Sequence, residues 1–177
     1  MFVFMDEEHK LIIQRKQKLQ QLRKLGIDPY PSVFHKTHYS ADILHLYHHL
    51  QHEQKSTEEI ILAGRIMTLR VMGKAGFAHI QDITGTIQLY IREDDVGKEM
   101  YSLFSKSDRG DIVGIRGHVF RTRKGEISVW IKTFTLLTKS LRPLPEKWHG
   151  LKDTELRYRQ RYIDLIVNPS AKNVFLQ

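Results

Sequence analysis

The 177-residue chain contains no cysteine. That absence removes disulfides, thiol nucleophiles and thiolate zinc sites, and it suits a reducing cytoplasm. No apolar run approaches the length needed to span a bilayer. The opening Met1-Phe2-Val3-Phe4-Met5 is too short for the apolar region of a signal peptide, and Asp6-Glu7-Glu8 follows at once. A soluble cytoplasmic protein with no membrane partner is expected. Acidic residues are in the minority, 20 Asp and Glu against 28 Lys and Arg, for a formal net charge of +8 and a pI near 9.7. This excess favours a polyanionic partner. It is uneven, with +1 over residues 1–58, +3 over 59–137 and +4 over 138–177, so in the middle of the chain it must be focused in loops.

What is present is a set of five short runs rich in β-branched and aromatic residues, separated by glycine turns, between residues 60 and 137. The first spans 60–70 and turns at Gly73-Lys74-Ala75-Gly76. The second is 77–82, followed by Thr84-Gly85, and the third is 86–91. After a polar, helix-like interval come 112–120 and 127–136, joined through 121–125. Such runs predict strands. A single non-strand interval between the third and fourth is the layout of the five-stranded oligonucleotide-binding (OB) barrel. The fold class expected is therefore mainly β, an OB barrel over 59–137. Two N-terminal helices precede it (1–58), and a connector (138–152) and the start of a helical segment (153–177) follow it.

Strand alternation assigns the faces. Ala78 and Ile80 point one way, and Phe77, His79 and Gln81 the other. Ile87, Leu89 and Ile91 share one face, and Thr86, Gln88 and Tyr90 the opposite one. Ile127, Val129 and Ile131 face inward, which leaves Glu126, Ser128, Trp130 and Lys132 outward. The outward sets put aromatics beside amide, carboxylate and hydroxyl groups. An unstacked base needs that mixture, because its flat face takes a ring and its edge takes an amide. OB barrels present strands 2 and 3 and loops 1–2 and 4–5 to the ligand. Here these carry Phe77, His79, Gln88 and Glu126, with Lys74, Arg121, Arg123 and Lys124 as cations for the RNA backbone.

The flanking segments carry less. A helix over 6–25 places Leu11, Ile12, Leu19, Leu22 and Leu25 on one side with Lys and Arg between, and Gly26 and Pro29 stop it. It serves either as a basic helix along phosphates or as an amphipathic helix packed on the barrel. A shorter helix over 41–53, with Ser40 as N-cap, carries Ile43, Leu46, Tyr47 and Leu50 on one stripe. His45, His48, His49 and His52 lie opposite. That spacing can ligate a metal, but with no carboxylate partner a solvent-facing surface is the reading preferred, and no metal site is assigned. Residues 93–108 hold Val96, Met100, Leu103 and Phe104 at helical spacing, the helix expected to plug one end of the barrel. After the Pro143/Pro145 connector, Asp153 opens a helical pattern running through Ile166 to Pro169, and another helix begins in 171–176.

Three segments in order make the chain resemble the N-terminal anticodon-binding region of a bacterial class II lysyl-tRNA synthetase, over nearly its whole length. They are Val71-Met72-Gly73-Lys74-Ala75-Gly76-Phe77, the connector Leu141-Arg142-Pro143-Leu144-Pro145-Glu146-Lys147-Trp148-His149-Gly150, and Arg157-Tyr158-Arg159-Gln160-Arg161-Tyr162-Ile163-Asp164-Leu165. The last resembles the helix just before class II motif 1. The resemblance implies lysine tRNA as partner. It implies that Phe77 stacks on an anticodon base, that Gln88 reads the central uridine with Arg70 beside it, and that Glu126 reads a neighbouring base. His79 rests on face geometry alone. The family's ATP- and Mg2+-dependent activation of lysine, and its homodimer, belong to the full-length enzyme. Motifs 2 and 3 and an acidic cluster for Mg2+ are not in this sequence, so the chain alone is expected to bind tRNA without cofactor, without catalytic residues and without aminoacylation. A stand-alone, nonspecific single-strand-binding OB protein is the alternative. A protein-interaction module built on Trp130 and the 157–166 helix is a third reading.

Overall fold

The computed structural model of the protein describes residues 2–145, 154–168, 171 and 174. The second half of the expected connector, the start of the expected Asp153 helix and most of the 171–176 segment lie outside the described residues. The chain forms two compact units, residues 1–141 and 142–177.

In the first unit, helix α1 (Phe2–Lys24) begins four residues before the sequence expectation, and Gly26 in the left-handed region (φ 73°) ends it. Helix α2 is Ser40–Leu46. The strands are β1 (Lys55–Met72), β2 (Ala75–Gln81) and β3 (Thr86–Arg92). Two short helices, α3 (Glu93–Val96) and α4 (Lys98–Ser105), precede β4 (Ile112–Arg121) and β5 (Ile127–Thr138). The five strands close into a ring in the order β1-β2-β3-β5-β4, all antiparallel except the β3/β5 pair. This is the expected mainly-β barrel. Its first strand begins at Lys55, inside the stretch expected to be an N-terminal extension.

The alternating inner faces fill the barrel. Ile60, Leu62, Ile66, Ile80, Leu89, Ile91, Val113, Ile115, Val129 and Ile131 are fully buried. Burying one such side chain is worth about 1.5–3 kcal/mol, so this layer dominates the stability of the unit. The plug is two pieces rather than one helix, because Gly97 (φ 83°) breaks the path. Phe104 of α4 drops into the barrel end, where a Cβ on Gly76 would sit 2.5 Å from its ring. Tyr101 donates its hydroxyl to the carbonyls of Gly73 and Ala75 at 2.7 and 2.9 Å. The β1–β2 turn is thereby tied to the plug.

Helix α2 corrects the expected 41–53 helix in two ways. Tyr39, not Ser40, is its N-cap, and the amides of Ser40 and Ala41 are bonded by Asp82 Oδ2 and Thr84 Oγ1 of the β2–β3 turn. The helix ends at Leu46 because Arg121 takes the carbonyls of His48 and Leu50, and Leu50 turns into the core. Helix α1 is fixed through its cations. Arg15 is buried and donates to the carbonyls of Ser140 and Arg109, and Lys18 pairs with Asp108 at 2.6 Å. Beneath it Lys139, also buried, bridges Asp108 and Asp111. Of the two roles weighed for this helix, packing on the barrel occupies two of its cations.

In the second unit the expected single helix is two, α5 (Thr154–Arg159) and α6 (Arg161–Val167). Gln160 (φ −118°, ψ 51°) leaves helical geometry, and its carbonyl receives the amides of Ile163 and Asp164. The buried Asp164 carboxylate gathers Arg157, Arg161 and Asn168 across the break. The Asn168 amide, followed by the Arg157 guanidinium, holds that carboxyl below its ordinary range.

Candidate nucleic-acid interface

Strand register lines up two rows of side chains across the outer face of the sheet. Cross-strand partners share a face. Arg70 pairs with Phe77, Phe77 with Tyr90, Tyr90 with Trp130 and Trp130 with His118. The neighbouring row is Thr68, His79, Gln88, Ser128 and Phe120. Strict alternation from the buried Ile66 would turn Thr68 and Arg70 inward. A bulge between Ile66 and Thr68 adds Met67 to the inner face and swings Thr68 and Arg70 outward.

The first row is aromatic. Phe77 packs on Tyr90 with ring centroids 4.9 Å apart and planes tilted by 37°. Tyr90 meets Trp130 edge-to-face at 4.9 Å, and Phe120 closes the group at 5.4 Å from Trp130. The Trp130 indole donates to Asp95 Oδ2 at 2.9 Å, and the Lys55 ammonium sits 4.7 Å from the ring centre. Partial desolvation, then the charge of Lys132, lowers that ammonium below its ordinary value, against a raising pull from Asp95. These contacts leave Phe77, Tyr90 and Trp130 partly exposed on a braced surface. Such rings take stacked bases.

The second row is a hydrogen-bonded chain. Thr68 Oγ1 accepts from the His79 amide at 3.2 Å and lies 2.9 Å from its Nδ1. His79 Nε2 is 3.3 Å from Glu126 Oε1. Gln88 Nε2 donates to Glu126 Oε2 at 2.7 Å, and the Ser128 hydroxyl donates to Gln88 Oε1 at 2.9 Å. Aromatic platform and polar chain lie side by side, so a base stacked on the first faces the second.

Arg70 and the cations expected for the RNA backbone fall into three groups. Arg70 and Lys124 are exposed with no ion-pair or hydrogen-bond partner among the described residues. Lys74 is exposed, 3.7 Å from Asp94, and Arg123 pairs with Glu53 at 2.7 Å. Arg121 departs from expectation. Its guanidinium donates to the carbonyls of Leu50, Gly125 and His48. Those bonds tie the 47–54 segment to the β4–β5 loop and withdraw the group from the phosphate set. His45, His48 and His49 are exposed, and among the described residues no group of three or more His, Asp or Glu is arranged to hold a metal ion.

The family model for the OB-fold nucleic acid binding domain of the tRNA anticodon type matches residues 60–137. The chain is 54% identical over 170 residues to the lysine–tRNA ligase of Carboxydothermus hydrogenoformans, covering 96% of this chain and 34% of that protein. It is 54% identical over 170 residues to that of Pelotomaculum thermopropionicum, and 52% over 164 residues to that of Bacillus subtilis, 33% of each. The chain thus spans about a third of the length of these relatives.

Within this five-stranded ring the structure brings Phe77, His79, Gln88, Glu126 and Arg70 to one face. Ser128 and Thr68 complete the polar row and were not singled out from the sequence as site residues. Ser128 was sorted outward, but its bond to Gln88 could not be read from the sequence because it comes through the parallel β3/β5 pairing, 40 residues away. Asp95, which accepts the Trp130 indole N–H, was likewise not singled out. Among the described residues no helix is long and apolar enough to cross a membrane.

Proposed function

We propose that this chain binds the anticodon of lysine tRNA in the cytoplasm, as the N-terminal third of a lysine–tRNA ligase. Homology to ligases of that name supports the choice of tRNA. The observation that carries the chemistry is the adjacency of the Phe77–Tyr90–Trp130 platform and the Gln88–Glu126–Ser128 row. One anticodon base stacks on Phe77, Gln88 presents its amide to the edge of the central uridine with Arg70 beside it, and Lys124 meets the backbone. Arg123 joins it when phosphate competes with Glu53. The full-length enzyme joins lysine to its tRNA with ATP and Mg2+ and acts as a homodimer. In this reading the 177-residue chain supplies recognition of the tRNA and takes no part in the ligation step.

The test is binding of the 177-residue chain to anticodon stem-loops carrying UUU or UCU at fixed physiological salt. The expected result is a preference for UUU that Gln88→Ala removes, with Phe77→Ala weakening both hairpins by about 1–3 kcal/mol for the lost stack. Equal binding of both hairpins by the unmodified chain overturns the reading. It would leave a nonspecific single-strand binder, which the aromatic platform alone could support.

A further inference from the structure

We infer that Glu126 and Ser128 are positioning residues that fix the polarity of the Gln88 amide, so that the site selects a keto base edge and rejects an amino one. The inference rests on the anticodon reading above and adds to it how the choice of base is made.

A free glutamine side chain carries an acceptor and a donor at nearly the same position, and a half-turn about its last bond exchanges them. An unrestrained amide therefore suits uracil, which offers N3–H beside a carbonyl oxygen, in one orientation. It suits cytosine, which offers a bare N3 beside an amino group, in the other. Once stacking on Phe77 sets which way the base faces, the orientation of the amide decides which edge fits.

In this structure that orientation is not free. An ionised carboxylate only accepts hydrogen bonds. The Glu126 oxygen 2.7 Å from the amide must therefore face Nε2, and the half-turned amide would point Oε1 at a negative charge. On the other side Oε1 accepts the Ser128 hydroxyl, and Ser128 is fully buried, so that donor is held in place. The carboxylate is itself oriented. The Glu126 carboxylate can only accept, so His79 Nε2 carries the N–H directed at its Oε1; Nδ1 of the neutral ring is then an acceptor, and Thr68 Oγ1, which receives the His79 backbone amide, gives it its proton. From Thr68 through His79, Glu126 and Gln88 to Ser128 the donors and acceptors alternate, the Ser128 hydroxyl favouring Gln88 Oε1 at 2.9 Å over the Glu126 carbonyl at 3.4 Å. What remains for a ligand is one lone pair on Oε1 beside one N–H on Nε2, in a single order. That order receives the N3–H and carbonyl of uracil.

Glu126 thus acts through Gln88 rather than on a neighbouring base, and the two roles separate in experiment. The measurement is the ratio of affinities for the UUU and UCU stem-loops, using the 177-residue chain and its Glu126→Gln variant. Neutralising Glu126 also raises the affinity of any RNA, but that gain is common to both hairpins and cancels in the ratio. A charge-assisted bond lost on flipping corresponds to about a 10–100-fold preference. Glu126→Gln, whose side chain faces either amide orientation equally, should bring the ratio to within about 3-fold of unity. Ser128→Ala, which leaves the carboxylate in place, should reduce it only in part. In the unliganded chain the two Gln88 side-chain amide protons should give well-separated NMR resonances that draw together in Glu126→Gln, a readout independent of RNA. An unchanged ratio in Glu126→Gln overturns the inference and leaves anticodon reading intact. Absence of any UUU preference in the unmodified chain overturns the reading itself. Unfolding midpoints of both variants close to that of the parent confirm that a changed ratio is not a folding defect.

Discussion

Arg121 was expected to meet phosphate and instead holds three backbone carbonyls, and its removal separates the two roles. The guanidinium reaches Leu50 O at 2.6 Å, Gly125 O at 2.7 Å and the carbonyl of His48. Two further backbone bonds, Glu53 N to Arg121 O and Arg121 N to Gln54 O, run alongside at 2.9 and 3.1 Å. Arg121→Ala strips the three side-chain bonds at once and leaves the Leu50 carbonyl at a buried residue without its donor. Hydrogen bonds to charged groups contribute about 1.5–3 kcal/mol each, yet these share one side chain and two of the carbonyls lie near solvent, so a simple sum overshoots. A loss of about 2–4 kcal/mol is expected, which at a urea slope of about 1–3 kcal/mol/M lowers the midpoint by on the order of 1–2 M. Arg121→Lys keeps the charge but not the planar fork, so it should recover less than half of that loss. Urea titration of both variants beside salt-dependent RNA binding decides the matter. An Arg121→Ala midpoint within about 0.3 M of the parent, together with a salt slope for RNA shallower by about one, would refute the clamp and restore Arg121 to the phosphate contacts.

Further outcomes follow from the same geometry. Lys124→Ala removes an exposed, unpaired cation, so it should weaken UUU and UCU hairpins alike and reduce the salt slope by about one, without moving the unfolding midpoint. Gly117→Ala would place its Cβ 2.1 Å from the Trp130 carbonyl oxygen, a backbone atom that cannot swing aside. It should destabilise the barrel by about 2–4 kcal/mol, read by denaturant melts, and a neutral effect contradicts the register described. Burial alone would raise the Asp108 carboxyl, but hydrogen bonds from Lys139 and Lys18 outweigh it and hold it below its ordinary value. Because the folded value lies below the unfolded one, this stability is complete above about pH 4 and drains away as pH falls through the folded value. Asp108→Asn should flatten the acid limb of stability against pH, and an unchanged slope contradicts the assignment.

Where sequence patterning met local physics, it was sufficient. Ile87, Leu89 and Ile91 sort inward by simple alternation, and glycine turns mark the hairpins, so the ring of five strands and its core could be anticipated. The platform and the amide row lie on the opposite face for the same reason. What escaped depends on bonds between distant residues. The β1 bulge at Met67 reverses alternation, and only its pairing with β2 reveals it. Helix α2 stops at Leu46 because an arginine 70 or more residues downstream takes its next carbonyls. The helix over 153–166 breaks at Gln160, where the helical pattern runs on without interruption but one buried carboxylate gathers groups from both sides. The site followed suit. The outward placement of Phe77 and Gln88 was legible from alternation, whereas the bonds on the Gln88 amide were not, since Ser128 reaches it across a parallel pairing.

The central claim is that the outer face of β1, β2, β3 and β5 reads an anticodon, and the most direct measurement is a chemical-shift titration of the 15N-labelled chain with a UUU anticodon stem-loop. The account predicts the largest changes at Thr68, Arg70, Phe77, His79, Gln88 and Glu126, including the Gln88 side-chain amide, with α1 moving least. Changes concentrated on the exposed cations of α1, with the Gln88 amide unmoved, would contradict it.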